Sequence, residues 1–339
     1  MPFSLTAIRD LDIFLQQLIN GLTLGSVYAV VALGYTMVYG IIQLINFAHG
    51  EVVMVGAMVA LTVIGGLAAS GSMPPFLILA AGVLCAVPVC MILGYLIERV
   101  AYRPLRSAPR LAPLLTAIGV SIILQHVALL VFSRNPRAFP QIVANPVFDI
   151  GGASISAVQI AIMLLSFAMM AGLTFLVYRT RLGMAMRATS ENPAVAGLMG
   201  IDINRVIALT FVLGAGLGAM AGVMVGTYYG IAHYKMGALL GMKAFSAAVL
   251  GGIGNLGGAM LGGLLLGVVE ALGTGYIGEA TDLCNIGWLS SALAERCSDN
   301  GHMVLFGSNY QDVFAFIVLI IVLVFRPSGL LGERVGDRA

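Results

Sequence analysis

The chain has 339 residues, of which 60% are hydrophobic and 9% charged, with a net charge of +2. Soluble domains carry about 25% charged residues, so the composition excludes an ordinary soluble globule, and a near-neutral balance without a long basic tract gives no reason to expect nucleic acid. Four cysteines without CxxC or Cys/His ligand spacing leave no metal site to expect.

The opening stretch MPFSLTAIRDLDIF carries one Arg and two Asp. It lacks the basic region of a cleaved signal peptide, so the first apolar run is expected to stay as an anchor. No Asp, Glu, Lys or Arg occurs from Ile13 to Gly50, a run of 38 residues, or from Val52 to Ile97, a run of 46. A helix needs about 20 residues to cross the bilayer core. The first run must therefore tilt or break, with Gly40 and the Asn46-to-Gly50 region as the obvious place. SGSMPP (70–75) divides the second run, where Cys85 and Cys90 read as small packing residues. Further spans fall near 111–132, 158–178 and 206–228, followed by a Gly-broken segment at 242–273 and a last span at 309–325. The expected fold is all-α: a single polytopic transmembrane helix bundle over 1–339, with about eight spans and Gly-broken or re-entrant helices.

Arginines set the orientation. The segments 98–110 and 179–205 hold four each and the tail from Arg326 holds three, which is 11 of the 17 basic residues. All three are expected to be cytoplasmic, the C-terminus with them. The loop 274–308 then lies outside. It is acidic and holds Cys284 and Cys297, which an oxidising exterior would allow to pair; two free thiols are the alternative.

Helices in lipid associate through close approach at small residues. Gly214, Gly218 and Gly222 fall at spacing four on one face, as do Gly258 with Gly262 and Gly263 with Gly267. GAGLGAMAG loosely resembles a dinucleotide-binding fingerprint but lacks the preceding strand, so that reading is rejected. Glu270 follows Gly267 by three positions; it either faces protein or a cavity, or reaches water at the outer end of its span. The stretches 34–61 and 242–272 share a layout of apolar, Asn- and Gly-broken, then apolar residues, a weak internal repeat of the kind found in transporters.

Asn46, His49 and Glu51 stand together where the two long uncharged runs meet. One reading is a turn that caps helix ends, because backbone groups freed in a membrane need partners. Another is a broken helix lining a passage, with Asn255 and Glu270 as further lining groups. A third, a proton relay, would need more members. The loop 179–205 reads as two short helices, with Ser190 as an N-cap before Pro193 and with Gly197 or Gly200 as the stop. It is either a surface turn or a helix that docks a cytoplasmic partner. No P-loop pattern occurs, so if ATP drives this chain another subunit binds it.

The stretches NGLTLGSVYAVVALGYTMVYGIIQLINFAHGE, IERVAYRPLR, LTAIGVSIILQ, GIDINRVIALTFVLGAG and GMKAFSAAVLGGIGNLGGAMLGGLLLGVVEAL, with RPSGLLG at 326–332, closely resemble the H-type permease subunit of bacterial branched-chain amino-acid ABC importers. The resemblance implies an inner-membrane transport subunit with no catalytic residues and no bound cofactor. Its implied partners are a second related permease, two cytoplasmic ATPase subunits that bind ATP and Mg, and a periplasmic substrate-binding protein. It further implies that the residues around Arg187, Glu191, Asn192, Pro193, Gly200 and Ile201 form the loop that couples to the ATPases. The expanded loop 274–308 departs from the family pattern and leaves urea or another amide as an alternative substrate. The rival classes are an ion-coupled secondary transporter, favoured by Glu270 and the repeat, and a channel.

Overall fold

The computed structural model describes residues 3–71, 73–106, 108–109, 111–142, 144–280 and 310–332. Cys284 and Cys297, with most of the 274–308 loop, lie outside them. Helix α1 (Phe3–Ile42) is followed by α2 (His49–Ser70) and α3 (Pro75–Leu96). The chain continues through a π-helical turn, Ile97–Tyr102, and a 3-10 turn, Arg103–Leu105, into α4 (Leu111–Phe132). Short strands β1 (Arg137–Ala138), β2 (Val147–Ile150) and β3 (Ala153–Ser156) precede α5 (Ala157–Arg179), α6 (Arg181–Glu191), α7 (Pro193–Leu198) and α8 (Ile203–Tyr229). The rest is β4 (Ile231–Ala232), α9 (Met236–Gly251), α10 (Leu256–Ala280) and α11 (Gln311–Phe325). Strand β1 pairs with β4 and β2 with β3, both antiparallel.

Among the described residues seven helices are long and apolar enough to cross a bilayer, and α9 and α11 are shorter apolar helices. This is the all-α bundle expected from the sequence. The boundaries differ in places. Gly40 stays helical, and the first break is Gln43–Ala48, opened by Gln43 at φ +51°. The segment expected at 242–273 is a hairpin of two helices that begins at Met236, and α10 runs on to Ala280, past the expected start of the loop. Cys90 is buried, its thiol 3.5 Å from the Val52 carbonyl, whereas Cys85 is exposed.

Helices α1, α2, α8, α9 and α10 make the packed centre, while α3, α4 and α5 surround it with exposed apolar side chains such as Leu84, Ile123, Leu130 and Phe175. Such a surface is stable only in lipid. Small residues let the central backbones touch. Gly263 and Gly267 abut Ala29 and Gly25 of α1, while Gly258 and Gly262 abut Gly251 and Ala247 of α9. The two glycine pairs of α10 therefore serve two different neighbours. On α8, Gly222 abuts the backbone of α2 at Val53, Gly218 lies beside Val53 and His49, and Gly214 faces Gly34 of α1.

The arginine-bearing stretches share one end of the bundle, where α1 finishes. Tyr102 reaches Ile45, Arg106 reaches Asn204, and Leu330 and Leu331 donate backbone hydrogen bonds of 2.9 Å to Leu250 and Gly251. The strands lie toward the start of α1, where Gln16 bonds Ser154.

Candidate functional site

The break between α1 and α2 folds back into the bundle. His49 packs its ring on Gly34, edge-on to Tyr35 with centroids 4.8 Å apart, beside Gly214 and Gly218. The imidazole leaves no room for a Cβ at Gly34, whereas one at Gly214 or Gly218 would make ordinary contact with it. Asn46 is 4% exposed, His49 2% and Glu51 0%. The Asn46 side-chain oxygen accepts from the Ala48 amide at 3.2 Å and from the Tyr102 hydroxyl at 3.1 Å, so one side chain closes the turn before α2 and ties it to the π-turn. Glu51 Oε1 accepts from Gln125 at 2.7 Å and Ser121 at 3.1 Å, both on α4. Its Oε2 and His49 Nε2 have no hydrogen-bond partner among the described residues.

Gly50 and Glu51 meet Gly237, so the first turns of α2 and α9 converge on one point. A Cβ at Gly237 would lie 2.7 Å from Glu51 Oε2. Two helix N-termini present positive dipole ends, which favour a negative charge. A carboxylate can be held there without a cation, and broken helices around polar sites in transporters use the same physics.

Glu270 is elsewhere. It is 2% exposed and does not reach water: Lys243 Nζ lies 2.7 Å from its Oε1 and 2.6 Å from Asp312 Oδ1. The Tyr28 hydroxyl lies 3.3 Å from the same Oε1. Helices α1, α9, α10 and α11 are thus joined by one cation and two carboxylates. Asn255 is in a third place, at the α9–α10 turn. It caps α10 through Gly258 N at 3.0 Å and donates to the Leu331 carbonyl at 2.9 Å. No hydrogen bond joins these three locations among the described residues. Sequence reasoning did not single out Lys243, Asp312, Ser121, Gln125 or Tyr102. A lone lysine inside an apolar helix was the available signal for the ion cluster; the neutral partners on α4 carry none.

The loop 179–205 holds a rigid knob. Arg187 donates to the Val177 carbonyl and stacks over Tyr178 at 5.5 Å, and Gly183 lets α6 turn back tightly against the end of α5. The cap before Pro193 is Asn192, which accepts from Val195 N at 3.1 Å. Ser190, expected to be the cap, instead donates to the Arg187 carbonyl inside α6. An N-cap side chain needs extended backbone, which Asn192 has and Ser190 does not. Gly200 at φ +85° and the Ile201 amide bonded to Ala196 at 3.1 Å end the turn. Glu191, Asn192 and Pro193 are exposed, as are Leu198 (87%) and Met199 (79%) at the tip.

A cavity of about 540 Å³ opens near the strands, between α3, the 139–145 segment, α5 and α8. Leu79, Val83, Ile162 and Met224 line it with Gln141, Asn145 and Gln159, and none of Asn46, His49, Glu51, Asn255 or Glu270 does.

The family model described as branched-chain amino acid transport system / permease component matches residues 17–323. The high-affinity branched-chain amino acid transport system permease protein BraD of Pseudomonas aeruginosa is 47% identical over 94% of this chain and 96% of its own length. The corresponding protein LivH of Escherichia coli is 43% identical over the same shares. A probable branched-chain amino acid transport permease protein of Methanocaldococcus jannaschii is 28% identical over 89% of this chain and 87% of its own. No solved structure matches.

Proposed function

The chain belongs to the family of permease components of branched-chain amino acid transport systems, and from that premise we propose that it carries leucine, isoleucine or valine through the membrane as the translocating subunit of an ATP-driven importer. The observation that carries this reading is the α7 knob. Leu198 and Met199 stand in the open at the end of a short, capped helix between two spans. Lipid cannot cover a knob on a connecting loop, and a groove on a partner can. In this reading the arginine-rich end faces the cytoplasm of the bacterial inner membrane, with the C-terminus. Arg187, Glu191, Asn192, Pro193, Gly200 and Ile201 shape the segment that sits on two ATPase subunits, which hold ATP and Mg. A second related permease completes the pathway, and a periplasmic binding protein delivers substrate to the far end. Binding and hydrolysis of ATP move the knob, and the broken-helix region around Glu51 opens and closes by alternating access.

The ion-coupled reading has one observation in its favour, the buried Lys243–Glu270 pair with the partly exposed Asp312 beside it. Labelled leucine uptake into proteoliposomes holding this chain, its partner permease, ATPases and binding protein separates the two. Uptake is expected only with ATP and binding protein together. Uptake driven by an ion gradient without ATP would overturn the importer reading, and ATP hydrolysis stimulated by urea or another amide in place of leucine would move the substrate.

A further inference from the structure

We propose that Glu98, Arg106 and Tyr102 are positioning residues that carry motion from α7 to the helix break at Asn46–Glu51. This rests on the reading that α7 engages the ATPases. At its end α3 leaves α-helical spacing for a π-turn and then a 3-10 turn. π-turns are rare and concentrate at functional positions. Here the wider turn brings both Glu98 and Tyr102 inward, each 1% exposed.

Glu98 is an acid with almost no access to water. Among the described residues its ion partner is Arg106, to which Glu98 Oε1 is bonded. The other amino group of that guanidinium, Nη1, donates to Asn204 Oδ1 at 2.8 Å. Asn204 is in the first turn of α8, beside Asp202, which caps α8. Only Met199–Asp202 separate α8 from α7, and Gly197 of α7 lies against Ile203. From the π-turn, Tyr102 donates to Asn46, whose side chain also holds the Ala48 amide at the start of α2, and its ring packs on Phe211 of α8 at 5.2 Å.

The result is one bonded route: α7, the α8 start, Arg106, Glu98, the π-turn, Tyr102, Asn46, α2. Its stiffness has an electrostatic cause. A buried carboxylate cannot be parted from its guanidinium partner without a large desolvation penalty. Glu98 must therefore follow Arg106, and Arg106 follows the α7–α8 junction. Simple packing of α3 against α8 would need none of these polar groups, since Gly94 already lets α3 meet Phe211 and Ala215 closely.

The test reconstitutes the full assembly with wild-type chain, Tyr102→Phe, Glu98→Gln or Arg106→Lys, and measures leucine uptake and ATP hydrolysis in the same vesicles. Coupling between sites typically amounts to about fivefold or more, so the uptake-to-hydrolysis ratio is expected to fall by at least about fivefold in Tyr102→Phe, which keeps the ring and loses only the hydroxyl. Glu98→Gln and Arg106→Lys are expected to fall at least as far. Variants in which uptake and hydrolysis drop together, with the ratio unchanged, would show a merely structural role and overturn the proposal. A wild-type assembly without ATP-driven leucine uptake would overturn the reading beneath it as well.

Discussion

Two of the acids buried in the bundle are treated in opposite ways. Glu270 is held by a lysine shared with a second carboxylate, inside four helices. Among the described residues no cation pairs with Glu51; it rests on a hydroxyl and an amide from α4 and on two converging helix N-termini. An ion pair cut off from water resists separation, because parting it leaves uncompensated charge. Neutral donors on a helix that is mostly exposed to lipid can be exchanged at lower cost. In the proposed importer cycle, Glu270 would hold the helices together and Glu51 would belong to the part that rearranges.

Breaking the first half of this contrast has the largest expected effect. Lys243→Ala strands the buried Glu270 carboxylate and should cost about 3–5 kcal/mol, seen as loss of folded permease in detergent by size-exclusion chromatography. Combining Lys243→Met with Glu270→Gln should recover much of the folded fraction, and a double variant no better than the single would contradict the assignment. Next in size is overpacking. A Val at Gly263 meets the Ala29 backbone, and should destabilise the α1–α10 seam by about 1–3 kcal/mol, measurable as a lowered midpoint of thermal aggregation.

The second half is sharpened by His49→Ala with Glu51→Gln. Folded yield should stay near wild type while ATP-driven uptake falls severalfold. Unchanged uptake would leave these residues a capping and packing role. The smallest effect is at His233, outside the spans, where burial and then the nearby Lys235 hold the imidazole below its ordinary value. Its Nδ1 accepts from the Lys235 amide at 3.2 Å just before α9, which requires that nitrogen unprotonated. The folded state thus binds the proton less tightly than the unfolded one. Its contribution is present above about pH 6.5 and is lost as pH falls through that value toward the lowered folded one. The aggregation midpoint should drop slightly more between pH 7 and pH 5.5 in wild type than in His233→Gln.

Much of this was legible in the sequence. Uncharged runs too long for one crossing announced the breaks, and glycines at spacing four announced helix faces, because both follow from bilayer thickness and backbone approach. Asn46, His49 and Glu51 were visible as polar residues in an apolar run and do gather. What stayed hidden was pairing at a distance. Glu270 offers two plausible fates until Lys243 is placed beside it, and Ser121 and Gln125 are unremarkable on α4 until Glu51 reaches them. Asn255 resembles Asn46 in local pattern, yet it closes a hairpin at the arginine-rich end. The π-turn at Glu98 has no sequence signature, because one extra residue per turn depends on what the helix packs against.

The α7 knob is the proposed point of contact with the ATPases. The measurement is leucine uptake by the reconstituted assembly with the chain carrying Leu198→Glu and Met199→Glu, at equal permease content, together with co-purification of the ATPase subunits. The expected result is loss of ATP-driven uptake and of ATPase association, with the permease still folded in the membrane. Wild-type uptake from the doubly charged knob would contradict it.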